Sequence, residues 1–292
     1  MKKICENDEV AIFSDKEFIK NNGRYIEFSD GSTVDLFDYI ITNFGVGEIE
    51  IVYLPQKPEQ DNLITQRKSI GLVDSISLTG GITNVNIIKS ENNENYVNII
   101  GTEEFFKSLY INETRGQLEV QGHVEKNSIV IGEVWINGKR QKPEPDPLYG
   151  EITIVISKLN NLKFISNNKS NVYCELPINN LYSDIKGSAT INLNEVGKAN
   201  VNISGSSEVK INSLLENSSF SISGSGDVCI NKGIIDEVDL NVSGSGSINA
   251  MISVKKAILN LSGSGNIVVE NVKEVSKEKK SGSGYIKVLR RG

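Results

Sequence analysis

One histidine in 292 residues leaves little room for acid–base catalysis. His123 stands in Gln121-Gly122-His123-Val124, beside an expected glycine turn, where a solvent-exposed histidine is expected. Any Ser-His-Asp triad would have to use it, and no nucleophile-elbow sequence accompanies it. Paired carboxylates are the other route to hydrolysis. Glu208 and Asp227 follow two successive Ser-Gly units at equivalent places, and stacked strands would set them about 5 Å apart. The next equivalents are Ser247, Asn266 and Tyr285, so the pair is not continued and ordinary corner residues are the better reading. Ser223-Gly224-Ser225-Gly226-Asp227-Val228 is similar to calcium-binding Gly-rich repeats. Those need an aspartate in every repeat of about nine residues, whereas this aspartate occurs once. The Gly-Ser-Gly runs precede strands and lack Gly-Lys-Ser/Thr, which argues against a phosphate cradle. Cys5, Cys174 and Cys229 are too few and too far apart for a disulfide framework or a zinc site. Cys229 should face outward, where its repeat equivalent is Asn249. The expectation is no catalytic residue, no cofactor and no metal.

What does recur is uncharged and polar. Asn202, Ser221, Asn241 and Asn260 each sit between apolar neighbours, as in Val201-Asn202-Ile203 and Leu259-Asn260-Leu261. Such alternation marks a strand with one buried face, so these four residues form a candidate outward polar ladder.

The elements that position them repeat. Ser-Gly-Ser-Gly occurs at 223–226, 243–246, 262–265 and 281–284, with near copies at 204–207 and 186–189. Gly187, Gly205, Gly224, Gly244, Gly263 and Gly282 are 18, 19, 20, 19 and 19 residues apart. Each unit is followed by a second alternating segment, such as Val228-Cys229-Ile230, and then by Leu214, Ile234, Val254 or Val272. About six inward side chains at roughly 2 kcal/mol each give about 12 kcal/mol. That does not offset roughly 1–2 kcal/mol for each of some nineteen ordered residues. One period must therefore stack on its neighbours, and the expected fold is all-β: a parallel β-helix, or β-solenoid, of about 19-residue coils, most economically right-handed. Gly187, Gly205, Gly224, Gly226, Gly244, Gly246, Gly263, Gly265, Gly282 and Gly284 are the expected structural corners. The sequence reading gives them two tasks, positive φ and close approach of successive corners.

The reiterated Ser-Gly-Ser-Gly-(Asp/Asn)-(Ile/Val) corners, with the upstream segment Gly116-Gln117-Leu118-Glu119-Val120, resemble the putative auto-transporter adhesin, head GIN domain family. The resemblance runs from roughly residue 70 to the end. It implies a β-helix-like fold and an adhesive or binding role, and it supplies no catalytic residue.

Composition sets further bounds. A net charge of −6 without a basic stripe argues against a nucleic-acid partner. The start, Met1 to Glu9, has no apolar core of a signal peptide, and no 18-residue apolar run occurs. By sequence the chain is cytoplasmic, without membrane insertion, while the resemblance implies the cell surface or export.

Residues 1–66 read as a small β-rich module or N-terminal cap, and 67–292 as the β-helix domain, most regular over 183–292. Ser29-Asp30-Gly31-Ser32 and Asn137-Gly138 are hairpin turns. Thr102-Glu103-Glu104 opens the one expected helix, with Thr102 as its cap. Asn167 is a candidate for an early corner. Glu278 and Lys280 replace the apolar pair of earlier coils, as suits a terminal coil that must not recruit another strand. The first reading of function is a non-catalytic binding or adhesin-like protein presenting a polar β-helix face to a glycan or protein partner. Alternatives are a cytoplasmic scaffold of stacking solenoids and, more remotely, a carbohydrate-active β-helix enzyme using Glu208 and Asp227.

Overall fold

The computed structural model describes residues 63–82, 84–122 and 149–291 in full, and the backbone of short strands elsewhere. The chain divides into two compact units, 1–61 with 126–147, and 62–125 with 148–292. Strand Ile64–Ser69, which straddles the boundary expected at 66, pairs with Tyr96–Gly101 of the second unit.

The first unit contains antiparallel pairs. Tyr25–Phe28 pairs with Thr33–Asp35, and Trp135–Ile136 pairs with Lys139–Arg140, while the expected turns at 29–32 and 137–138 lie outside the described residues. Tyr39–Gly45 pairs with Glu48–Tyr53. His123 and the proline-rich run 142–147 lie outside the described residues.

The second unit is a β-solenoid of about seven turns of roughly 19 residues. From Ala189 onward each coil lies parallel on the one before it. Alternation decides what faces inward: Val201, Phe220, Leu240 and Leu259 stack as one column, and all are fully buried. Val209, Val228, Ile248 and Ile267 make the facing column. Together such columns form one continuous apolar core along the axis. Long strands such as Ser170–Ile185 serve two faces by bending, here at Pro177, where the register shifts and a missing N–H costs least.

One expected core position moves. Ile234 is 86% exposed, and its neighbours Ile235 and Ile252 turn inward instead. Leu214 bridges to Gly233 and Ile235 pairs with Val254, each nineteen residues on, so Ile234 falls between the two inward columns, in line with the exposed Leu215.

Successive corners lie one over another, and close approach acts at more of them than positive φ does. Among the corner glycines only Gly263 (φ 134°) and Gly282 (φ 103°) have positive φ. At Gly205, Gly224, Gly244 and Gly246 the requirement is space: a Cβ would fall under 3.0 Å from the carbonyl oxygen of Gly187, Gly205, Gly224 and Gly226, respectively. Gly187 itself lies over Asn168 rather than Asn167. Ser207, which stands where later coils have glycine, is buried. Its hydroxyl donates to the Gly187 carbonyl at 2.9 Å and accepts from the Ala189 amide at 2.8 Å.

The first coils are woven rather than simply wound. Asn84–Lys89 lies between Gly150–Ile156 and Ser170–Ile185, parallel to both. Ser75–Gly80 likewise lies between Gln117–Gly122 and Leu159–Ser166. Beyond them the ladder turns antiparallel, through Tyr96–Gly101 on Gly150–Ile156 and Leu109–Thr114 on Gln117–Gly122. The short helix Glu103–Ser108 follows its expected cap, with Thr102 Oγ1 accepting from the Phe105 amide at 3.2 Å. Phe105 is buried against Gly101 and Gly150, where any Cβ would meet its ring.

Candidate functional site

The outward ladder lies in a groove. Asp184, Asn202, Ser221, Asn241, Asn260 and Lys279 stand in register, one per coil. Five strand spacings make this row about 24 Å long. Beside it runs a second row, the first serine of each corner: Ser204, Ser223, Ser243, Ser262 and Ser281. Both rows line one open groove of about 890 Å³.

The floor is half-buried and only partly satisfied. Asn260 Nδ2 donates to Asn241 Oδ1 at 2.7 Å, and Asn241 Nδ2 donates to Asp239 Oδ1 at 2.9 Å. An amide carries two donor hydrogens and two acceptor lone pairs, so each of these asparagines keeps capacity for a partner. Among the described residues, Asn202 and Ser221 make no side-chain hydrogen bond within the protein. In the wall, the hydroxyls of Ser204, Ser223 and Ser243 reach the carbonyls of Ile185, Ile203 and Ile222 at 3.4–3.5 Å, which are long contacts that leave them free to turn outward.

The other chemical candidates do not converge. Glu208 and Asp227 are adjacent in register, but each carboxylate is engaged locally. Glu208 pairs with Lys210 Nζ at 2.7 Å, and Asp227 Oδ1 accepts from the Ser247 amide at 2.8 Å. Cys174 is buried, and burial pushes its thiol up to about 12. Cys229 stands in register with Asn249 on the outer face, half-buried.

A second ladder lies in the early coils, beyond the reach of the sequence pattern. Asn179 Nδ2 donates to Asn160 Oδ1 at 3.2 Å, and Asn160 Nδ2 to Asp74 Oδ2 at 2.8 Å. Alongside, Asn180 donates to Asn161 at 3.0 Å, and Asn161 to Ser75 Oγ at 3.0 Å. The signal was present as two Asn-Asn pairs nineteen residues apart. It lies in coils without Ser-Gly corners, where no repeat frame marks the register.

Comparison with known proteins agrees with this architecture. The family model described as putative auto-transporter adhesin, head GIN domain matches residues 74–288. The chain belongs to that family. The matched head GIN segment contains every Ser-Gly corner and both rows of the groove. A putative adhesin from Bacteroides fragilis has a TM-score of 0.58 at 18% identity, covering 82% of this chain and 99% of its own. Putative adhesins from Parabacteroides merdae and Parabacteroides distasonis give 0.52 at 18% and 0.51 at 19%. Each covers 79% of this chain, and 96% and 97% of its own, respectively. At these identities the likeness is one of fold. No curated protein matches the chain.

Proposed function

We propose that this head GIN domain chain is a non-catalytic binding protein whose groove receives a linear glycan. The observation that carries the reading is the pairing of rows. Amide and hydroxyl groups of the floor and hydroxyls of the wall line one channel, repeated once per coil. A sugar chain is likewise a repeat of hydroxyls, and a pyranose ring in an extended chain advances by a length close to one strand spacing. Each rung then meets about one sugar.

The carboxylates support binding over hydrolysis. The acids lining the groove are Asp184 and Glu278, at opposite ends of the row. Glycoside hydrolases hold their two carboxyl groups roughly 5–9.5 Å apart, far less than the five coil spacings here.

The test is a glycan array followed by calorimetry on the full chain. Asn202→Leu with Ser221→Leu fills the floor without disturbing the Asn241–Asn260 bond, and should abolish binding while the melting temperature holds. Asn249→Leu, on another outward row, should leave binding intact. Absence of binding to every glycan, or binding indifferent to the filled floor, would overturn the proposal.

A further inference from the structure

The groove is electrically lopsided. Its row runs from one acid, Asp184, through four uncharged rungs, to Lys279, with Lys280 beside it. Glu278 also lines the lysine end, where its carboxylate is paired with Arg291 Nη2 at 3.4 Å. Among the described residues neither Lys279 nor Lys280 forms an ion pair, so both ammonium groups remain available at the mouth. Resting on the reading of the groove as a glycan site, we infer that its occupant is a linear glycan with a carboxylate-bearing sugar at one end, seated at Lys279 and Lys280, and neutral sugars along the floor.

Three physical points fix this choice. An ammonium–carboxylate contact is a charge-assisted hydrogen bond, stronger than the neutral contacts available on the other rungs. Asp184 penalises a second carboxylate at the far end, so a glycan acidic at every sugar fits less well than one acidic at a single end. The chain carries a net charge of −6, so long-range attraction does not draw an anion in, and selection happens at contact. An acidic peptide is the less suitable occupant. Under Asn202, Ser221, Asn241 and Asn260 the strands spend their N–H and C=O groups on the coils above and below, so an added peptide strand finds an edge only beside Lys277–Ser281, at the end of the groove, and none along its floor.

The experiment uses linear pentasaccharides and hexasaccharides in matched pairs from glucan, mannan, xylan and N-acetylglucosamine series. Each pair has a neutral form and a form capped by one uronic acid. The capped form should bind the full chain about tenfold more tightly within at least one series. Lys279→Gln with Lys280→Gln should erase that difference while neutral binding persists. Asp184→Asn should improve binding of the all-uronate chain. Equal binding of neutral and capped forms, unchanged in the lysine variant, overturns this inference and leaves the groove reading standing. Failure of every pair to bind overturns both. Pentaaspartate binding as tightly as the best capped sugar overturns the assignment to a glycan.

Discussion

Arg291 Nη2 meets Glu278 Oε2 at 3.4 Å across the last coil, each standing on a position that the coil before fills with core. Glu278 lies over Leu259 and Arg291 over Val272, both buried. The apolar columns therefore end in opposite charges drawn from two faces of the solenoid. As an exposed pair it contributes roughly 0–1 kcal/mol to stability. Its larger consequence is that another coil placed on top would have to desolvate both groups. Glu278→Leu, Lys280→Leu and Arg291→Val together restore the earlier pattern. The variant should associate end to end, with light scattering showing mass that grows with concentration. A triple variant that stays at the wild-type mass would show that these charges do not guard the end.

The corner glycines should tolerate nothing larger. At Gly244 an added side chain runs into the Gly224 carbonyl of the coil below. Gly244→Val should destabilise by more than about 1 kcal/mol, and by several if the coils are forced apart. Ser245→Ala, exposed at the same corner, should change stability by less than about 0.5 kcal/mol. Thermal melts of the two variants compare these directly, and an unaltered Gly244→Val melt would contradict the stacking.

The bond from Asn260 to Asn241 spans successive coils, so removing either amide should cost about 0.5–1.5 kcal/mol. A double-mutant cycle with Asn241→Ala and Asn260→Ala should return a coupling of that order, because the residues share one bond. Strict additivity in urea unfolding would mean the contact adds nothing in solution.

Cys174 makes stability depend on alkaline pH. Its thiol is pushed up to about 12 from an ordinary value of 9.0, chiefly by burial. Above about pH 9 the unfolded chain loses that proton while the folded chain keeps it. The stability is thus fully present below pH 9 and is lost as pH rises toward 12, at up to about 1.4 kcal/mol per unit. Cys174→Val should flatten this part of the profile. In the folded state an alkylating reagent should label Cys229 rapidly and Cys174 only on unfolding. A profile equally steep without the thiol would remove burial of Cys174 as the cause.

Much of the column is legible in the sequence, because its information is local and repeated. Gly224, Gly244 and Gly263 recur at nearly constant spacing, and the alternation around Asn241 and Asn260 says which side chains face out. A stack of equal coils converts that spacing directly into register. The helix at Glu103–Ser108 was legible for the same reason, since its cap and its acidic first turn lie within a few residues.

The rest depended on contacts that the order of residues does not display. Asn84–Lys89 enters between two strands far along the chain, and nothing within that segment records its neighbours. Ile235 rather than Ile234 faces inward, because both are apolar and only the pairing with Val254 separates them. Local pattern thus determined that this chain winds and which residues line its outer rows. That two of those rows share one channel, acidic at Asp184 and basic at Lys279, was decided only by the coils resting on one another, since a groove belongs to the space between residues about nineteen apart rather than to any one of them.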